Sequence, residues 1–275
     1  YLKKLHNKTK RNIIVYYSSF LQKPGVGNTD VCDDDKNGFM AAIHKLDRTI
    51  GLDLILHTPG GNIAATESIV DYLRKMFGND IRAIIPQIAM SAGTMIACSC
   101  SVIIMGKQSS IGPIDPQFGG IPAHGVLNEF KKALEETKKD PATIPIWQIV
   151  VSKYHPTFLG ECQNAIDWSN NIVANWLETN MFSGDADPIS TATSIVNKLG
   201  DHDDTKTHAR HFPINEAKSM GLKIKSLEDD FDDEFQDLVL TVHHAYMHTF
   251  ANSASVRIVE NHLGNAIVFN MSGES

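Results

Sequence analysis

The chain has 275 residues and carries 25 Lys and Arg against 32 Asp and Glu, which gives it a net charge of −7. A hydrophobic content of 42% with 21% charged residues is typical of a globular protein and excludes a mainly disordered chain. The negative balance argues against nucleic-acid binding, which needs clustered Lys and Arg. Four cysteines without the spacing of a disulfide framework fit a reducing compartment, so we expect a cytoplasmic protein.

The first half of the chain alternates short β-type runs with helical patterns. Runs of β-branched and aliphatic residues predict buried strands at Asn12–Tyr17, Leu52–His57, Ile81–Ile85 and Val102–Met105. Helical spacing predicts helices over Lys36–Thr49, after Asn62 and over Ser91–Ser99. Because strands separated by helices need crossover connections, we expect an α/β fold with a mainly parallel sheet.

The longest apolar stretch runs from Ile81 to Met105 and is interrupted by Pro86, Gln87 and a Cys-Ser-Cys-Ser sequence. Such interruptions are costly in lipid, so we interpret the stretch as a buried strand–turn–helix–strand. The residues of the chain do not support membrane association.

The second half of the chain is predicted to be mainly helical. Apolar residues three and four apart predict helices at Val126–Lys138, Pro145–Tyr154, Asn164–Asn180, Thr191–Leu199 and Phe231–Asn252. A weak strand pattern follows at Ala266–Phe269. Seven carboxylates between Glu228 and Asp237 equal the whole net charge, and they suit the positive end of a helix dipole. We expect one domain over 1–275, with a core at about 12–225 and a helical extension at about 226–275.

Two strand-to-helix junctions carry the clearest chemical pattern. The first is Thr58-Pro-Gly-Gly-Asn, and the second is Ala89-Met-Ser-Ala-Gly-Thr. Glycines at a helix entrance expose backbone N–H groups that can hold an oxyanion. Ser91 lies on the second junction between small residues, where its hydroxyl would be open to a substrate and close to the Ala92 N–H. Separately each junction could be a simple turn or a helix cap, but the pair favours nucleophilic chemistry.

These segments resemble a known family. Leu54-Ile-Leu-His-Thr-Pro-Gly-Gly-Asn, Ala89-Met-Ser-Ala-Gly-Thr-Met-Ile-Ala and Ser110-Ile-Gly-Pro-Ile-Asp-Pro-Gln are similar, in order and spacing, to motifs of the serine dehydrogenase proteinase family of Clp-fold serine proteinases. The resemblance continues through Thr207-His-Ala-Arg-His-Phe-Pro-Ile and covers about 12–225. It implies a ClpP/crotonase-like spiral of ββα units with additional C-terminal helices, and a homo-oligomer.

The resemblance also implies roles for particular residues. Ser91 would be the nucleophile, and the N–H groups of Gly60 or Gly61 and of Ala92 would form the oxyanion hole. The family is described as a Ser-Asp-His proteinase, and Asp115 lies close to where the Clp subunit has its histidine.

A base must take the proton of the Ser91 hydroxyl, and the sequence leaves its identity open. His208 matches a family motif and leads, with Asp115 to orient it, and His211 is second. Lys131 or Lys132 would be the base if the site followed the Ser-Lys members of the wider superfamily.

The remaining histidine pattern predicts packing. His244 and His248 are four apart on one helical face, but a third ligand and the Glu of a zinc motif are missing. We therefore expect no metal and no cofactor. His57 directly precedes the first junction, and we expect it to support the oxyanion loop.

The sequence thus predicts a serine-type peptidase that cleaves peptide bonds in peptides or proteins through a Ser91 acyl-enzyme. A crotonase-like acyl-CoA enzyme would use the same pair of amides with a carboxylate base, and Ser91 would be dispensable. A non-catalytic oligomeric adaptor would keep the fold without a competent base.

Overall fold

The computed structural model describes residues 1–200 and 208–271. Within these ranges a seven-stranded sheet forms the centre, in the order β10-β5-β3-β2-β1-β11-β12. Its strands are β1 (Asn12–Ser18), β2 (Leu52–His57), β3 (Ile81–Ile85), β5 (Val102–Met105), β10 (Ile224–Ser226), β11 (Ser255–Asn261) and β12 (Ala266–Asn270). The first five are mutually parallel, and β11 and β12 add an antiparallel edge. The predicted α/β fold with a mainly parallel sheet is confirmed.

The sheet is covered by helices on both faces, which explains why its inner strands are mainly apolar. The buried Asp53 of β2 is an exception and pairs with Arg11 and Arg82. Every residue of β1 and β2 is buried. Alternate residues of β1 belong to two different core clusters: Ile14 and Tyr16 pack on one face, and Ile13 and Val15 pack on the other. A strand buried on both faces carries a continuous apolar run instead of an alternating one.

The predicted helices are present, but two bounds differ by six residues: one helix ends at Ile43 instead of Thr49, and another begins at Phe158 instead of Asn164. The helices Leu2–Thr9 and Ile214–Met220 were not predicted. The helices preceding residue 123 are α1 (Leu2–Thr9), α2 (Asp34–Ile43), α3 (Ile63–Phe77) and α4 (Ala92–Cys98). Those that follow are α5 (Ala123–Lys139), α6 (Ile144–Val151), α7 (Phe158–Trp176), α8 (Pro188–Gly200), α9 (Ile214–Met220) and α10 (Asp233–Ala251). Asp232 caps α10 by accepting from the Phe235 N–H at 2.9 Å, so the acidic run begins this helix as expected.

Short strands form a second layer next to the main sheet. β4 (Ile88–Ala89), β6 (Ser110–Ile111) and β9 (Phe212–Pro213) make a three-stranded sheet. β7 (Gln117–Phe118) and β8 (Ile121–Pro122) make a hairpin. The stretch from 81 to 105 is therefore β3, β4, α4 and β5, which confirms the buried interpretation. In the described part of the chain, no helix combines the length and apolar character that crossing a bilayer requires.

The C-terminal segment differs most from its prediction. The weak strand pattern is confirmed as β12, but β11 was not predicted and the segment is not purely helical. β11 pairs antiparallel with β1 and lies inside the main sheet. Its Arg257 is 3% exposed, and a charge at a core position obscures the apolar pattern of a buried strand.

Candidate active site

The two strand-to-helix junctions lie against each other. A parallel bridge pairs Thr58 with Ala89, and the Met90 N–H donates to the Thr58 C=O at 3.0 Å. A Cβ atom placed on Gly60 would lie 2.6 Å from the Ser91 Cβ, so this close approach requires glycine. The glycine junction and the serine therefore form one surface.

Val31 holds the glycine junction from its other side. The Val31 N–H donates to the Gly60 C=O at 2.7 Å, and the Asn62 N–H donates to the Val31 C=O at 2.9 Å. A side chain on Gly61 would collide with the Val31 backbone. The Gly60 N–H points to Thr58 Oγ1 at 3.2 Å, whereas the Gly61 N–H meets no acceptor among the described residues. Gly61 therefore offers the freer donor of the two.

Ser91 has a backbone conformation that few L-residues adopt. Its φ is 49° and its ψ is −114°, which costs about 1–3 kcal/mol for a residue other than glycine. The next residue, Ala92, begins α4, so its N–H has no acceptor within the helix. The Ser91 hydroxyl forms no hydrogen bond with the described residues. All seven residues of α4 are buried, which gives the strained turn a rigid base.

Asp115 and His208 form a hydrogen-bonded pair. The His208 Nδ1 lies 2.7 Å from Asp115 Oδ1. A carboxylate can only accept, so we assign the proton of the neutral ring to Nδ1, which leaves the Nε2 lone pair free. Asp115 is buried, and its Oδ2 has no hydrogen-bond partner in the described part of the chain. The His208 side chain keeps 21% of its surface exposed. The pair thus has one buried acceptor and one accessible imidazole.

One cavity of about 870 Å³ joins these elements. Ser91, His208, Gly60 and Gly61 all line it. Apolar walls are supplied by Ile63, Met95, Ile114, Phe118 and Trp168. The volume lies within the range of small-molecule and peptide sites. We call it the Ser91 cavity.

The alternative bases lie elsewhere. His211 is exposed, and its Nδ1 lies 2.7 Å from the Ser110 hydroxyl. Lys131 and Lys132 are exposed on α5, and Lys132 is 3.8 Å from Glu136. None of these three candidates lines the Ser91 cavity. Thr207, the first residue of the histidine motif, lies outside the described residues.

A model of the family described as ClpP-like SDH-type serine proteinase matches residues 30–244. The match includes both junctions, Asp115 and His208. The chain belongs to this family. The resemblance expected from the junction motifs is confirmed.

Two archaeal proteins are similar to this chain. The uncharacterized protein MJ0137 of Methanocaldococcus jannaschii is 30% identical over 194 residues, which are 70% of this chain and 59% of the relative. The uncharacterized protein MJ1495 of the same organism is 36% identical over 107 residues, which are 39% of this chain and 36% of the relative. The chain therefore spans little more than half of one relative and about a third of the other.

A buried ion pair supports the segment that presents Val31 to the cavity, and sequence reasoning missed it. The Arg257 Nε donates to Asp35 Oδ1 at 2.8 Å, and both side chains are almost fully buried. Arg257 also donates to the Asn28 C=O, while Asp35 Oδ2 accepts from the Cys32 N–H at 2.9 Å. The segment that presents Val31 is thus fixed at both ends. Arg257 lies beyond the family match, and no local pattern links it to Asp35.

His57 directly precedes the glycine junction, and its ring packs in an aromatic cluster. It is fully buried, and its ring contacts those of Tyr17, Phe20 and His243 at centroid distances of 4.9–5.5 Å. Neither ring nitrogen has a hydrogen-bond partner among the described residues. Burial, with a smaller effect of His243, lowers the pKa of His57 to about 3. The His57 ring is therefore neutral near neutral pH.

Proposed function

We propose that this chain is a serine-type peptidase that cleaves peptide bonds through an acyl-enzyme on Ser91. One observation carries the proposal: the strained Ser91 turn, the free Gly61 N–H and the Asp115–His208 pair meet at one cavity. A nucleophile, a base with an orienting carboxylate, and oxyanion donors are the components that acyl transfer requires.

In the first half of the reaction the Ser91 Oγ attacks the carbonyl carbon of the scissile bond. His208 Nε2 takes the hydroxyl proton, and the carbonyl oxygen becomes an oxyanion that accepts from the Ala92 N–H and from Gly61 or Gly60. Asp115 holds the Nδ1–H and stabilises the imidazolium. The C–N bond then breaks, and His208 returns the proton to the leaving amine. An ester on Ser91 remains.

In the second half water hydrolyses this ester. His208 Nε2 takes a proton from the water, whose oxygen attacks the acyl carbon. The same N–H groups hold the second oxyanion. Breakdown releases the carboxylic acid product, and the proton passes from His208 back to the Ser91 oxygen.

The finer fold description belongs to the same proposal. A main-sheet strand, a short strand and a helix follow one another at β3, β4 and α4, and this supports a spiral of ββα units. The place of β11 and β12 in the main sheet supports one domain over 1–275. A homo-oligomer is proposed from the family resemblance.

The charge of the cavity favours a peptidase over an acyl-CoA enzyme. An acyl-CoA substrate carries phosphates, which proteins bind with Arg, Lys or clustered N–H groups. No Lys or Arg lines the Ser91 cavity in the described part of the chain. Carboxylates from Asp30 and Glu161 lie there instead.

A fluorophosphonate probe tests the nucleophile. We expect one adduct, located on Ser91 by mass spectrometry, because only an activated serine attacks the phosphorus rapidly. Ser91→Ala should abolish labelling, and the exposed Ser190→Ala should label like the wild type. An adduct on another serine, or hydrolysis of peptides by Ser91→Ala, would reject the proposal.

Two histidine variants test which residue is the general base. His208→Ala should slow peptide hydrolysis at least about a hundredfold, since general base catalysis contributes that much. His211→Ala is the matched control, because His211 lies three residues later and outside the cavity, and it should keep most of the activity. The reverse ranking would transfer the role to His211.

A further inference from the structure

The described lining of the Ser91 cavity has negative charge without a compensating cation. Its charged side chains are Asp30 and Glu161, and His208 is its other titratable residue. Every other lining residue is apolar, an amide, Ser91 or glycine. The acidic run at 228–237 accounts numerically for the net charge of the chain, so the cavity charge is a local feature.

Asp30 is an exposed residue next to the oxyanion loop. It directly precedes Val31, which is hydrogen-bonded on both sides of Gly61. Asp30 forms no ion pair or hydrogen bond with the described residues, while Arg257 is engaged by Asp35. Burial raises the pKa of Asp30 above its ordinary value, and the positive charge of Arg257 opposes this shift only in part. An incoming cation would stabilise its carboxylate.

Glu161, in the first turn of α7, lines the same cavity as this loop. Its Oε1 accepts from the Thr157 hydroxyl at 2.7 Å, which orients the carboxylate without neutralising it. No ion pair involves Glu161 among the described residues. The two carboxylates therefore come from separate segments of the chain, and both side chains are solvent-exposed.

Resting on the proposed peptidase function, we propose that Asp30 and Glu161 make the Ser91 cavity selective for peptides that place a Lys or Arg side chain in it. The cavity suits the whole of such a side chain. Phe118 and Met95 offer apolar surface to its aliphatic stem. Trp168, whose Nε1 donates to Glu67 at 3.2 Å, offers a ring face to the cationic head.

Binding to the Ser91→Ala protein measures this selectivity without any reaction. Three labelled pentapeptides, identical except for a central Lys, norleucine or Glu, are compared by fluorescence anisotropy. Exposed charge pairs contribute up to about fivefold in affinity each, so the Lys peptide should bind about tenfold more tightly than the norleucine peptide. The Glu peptide should bind most weakly, and added salt should reduce the difference.

Four charge variants locate the effect. Asp30→Asn and Glu161→Gln, each in the Ser91→Ala background, should lower the Lys preference by about two- to fivefold. Asp237→Asn and Glu135→Gln change the net charge equally at exposed positions outside the cavity, and they should preserve the preference. Equal binding of the Lys and norleucine peptides, no measurable binding of the Lys peptide, or a preference that survives both cavity variants would overturn the proposal.

Fluorophosphonate labelling of the wild-type chain separates the two proposals. An adduct on Ser91 together with charge-independent peptide binding would retain the peptidase and reject the charge selection. A Lys preference without any Ser91 adduct would reject the peptidase and retain a site that binds basic peptides.

Discussion

The two junctions that meet at the cavity reach their positions by opposite means. At Thr58–Asn62 two positions are glycine and have no side chain. A Cβ on Gly60 would collide with Ser91, and one on Gly61 would collide with Val31. At Met90–Ala92 the side chain is kept and the backbone is strained, with Ser91 at a φ of 49°. The first junction exposes N–H groups and the second exposes a hydroxyl.

The two junctions therefore lower the free energy of unfolding for different reasons. Glycine loses more backbone freedom on folding than other residues, so the first junction has an entropic cost. The strained serine has an enthalpic cost in the folded state of about 1–3 kcal/mol. Substitutions at the two junctions should therefore change activity and stability in different proportions.

The largest effect on activity is expected from adding a side chain at Gly60, where the two junctions approach each other most closely. Gly60→Ala should lower peptide hydrolysis at least about a hundredfold, because the new methyl group would separate the oxyanion donors from Ser91. Steady-state rates of the folded protein measure this loss.

Gly78→Ala is the matched control for Gly60→Ala. Gly78 also has a positive φ, of 61°, but no atom lies within 4 Å of its absent Cβ. It should lose about 1 kcal/mol of stability and keep its rate. A wild-type rate in Gly60→Ala would show that the close approach of the junctions is unimportant.

A smaller effect is expected from pH at His57, the last residue before the first junction. Its pKa is about 3 when folded, against 6.5 in the unfolded chain, so below about pH 6.5 the unfolded chain binds more protons. The stability that neutral His57 provides is complete above this pH and is lost as the pH falls toward 3. At about pH 5 the loss should reach about 2 kcal/mol.

His57→Phe tests this linkage because it keeps a ring among Tyr17, Phe20 and His243 and removes the titration. Urea unfolding at about pH 7.5 and about pH 5 measures how much unfolding free energy the protein loses between the two pH values. This loss should be smaller by about 2 kcal/mol in His57→Phe than in the wild type. His44→Gln, at an exposed position, should leave the wild-type pH dependence unchanged. The same loss in His57→Phe would contradict the linkage.

The smallest effect is expected from relieving the strain at the second junction. Ser91→Gly and Ser91→Ala should both be inactive, but Ser91→Gly should be more stable by about 1 kcal/mol, because glycine accepts a positive φ. Denaturant unfolding compares the two.

Ser99, at the other end of α4, is the control position for the comparison of glycine with alanine, and the opposite order of stability is expected there. Its φ is −76°, and there Ser99→Gly should be less stable than Ser99→Ala. If glycine is not favoured over alanine at position 91, the unusual dihedral carries no strain.

The sequence predicted the junctions well because the chemistry there is local. Two adjacent glycines after an apolar run, and a serine between small residues, require particular backbone shapes within a few residues. The four strands of the first half were predicted for the same reason, since each is a short, mainly apolar run between turns. The roles assigned to Ser91, Asp115 and His208 remain part of the proposal.

The contacts between distant segments could not be predicted in this way. Asp115 and His208 were linked only through the family resemblance, because 93 positions separate them and nothing local pairs them. β11 was missed because its charge at Arg257 is compensated by Asp35, which lies 222 positions away. A buried charge looks like a surface residue until its partner is known.

The Arg257–Asp35 ion pair also determines the order in which parts of the site can form. Ser91, Asp115 and His208 are all made before Arg257 leaves the ribosome, since synthesis runs from the N-terminus. Until β11 has been synthesised, Asp35 lacks the Arg257 cation that compensates its burial. The segment that presents Val31 also lacks the hydrogen bond from Arg257 to the Asn28 C=O. The growing chain would thus contain Ser91, Asp115 and His208 before the segment that presents Val31 is anchored, and β11 would complete that anchor.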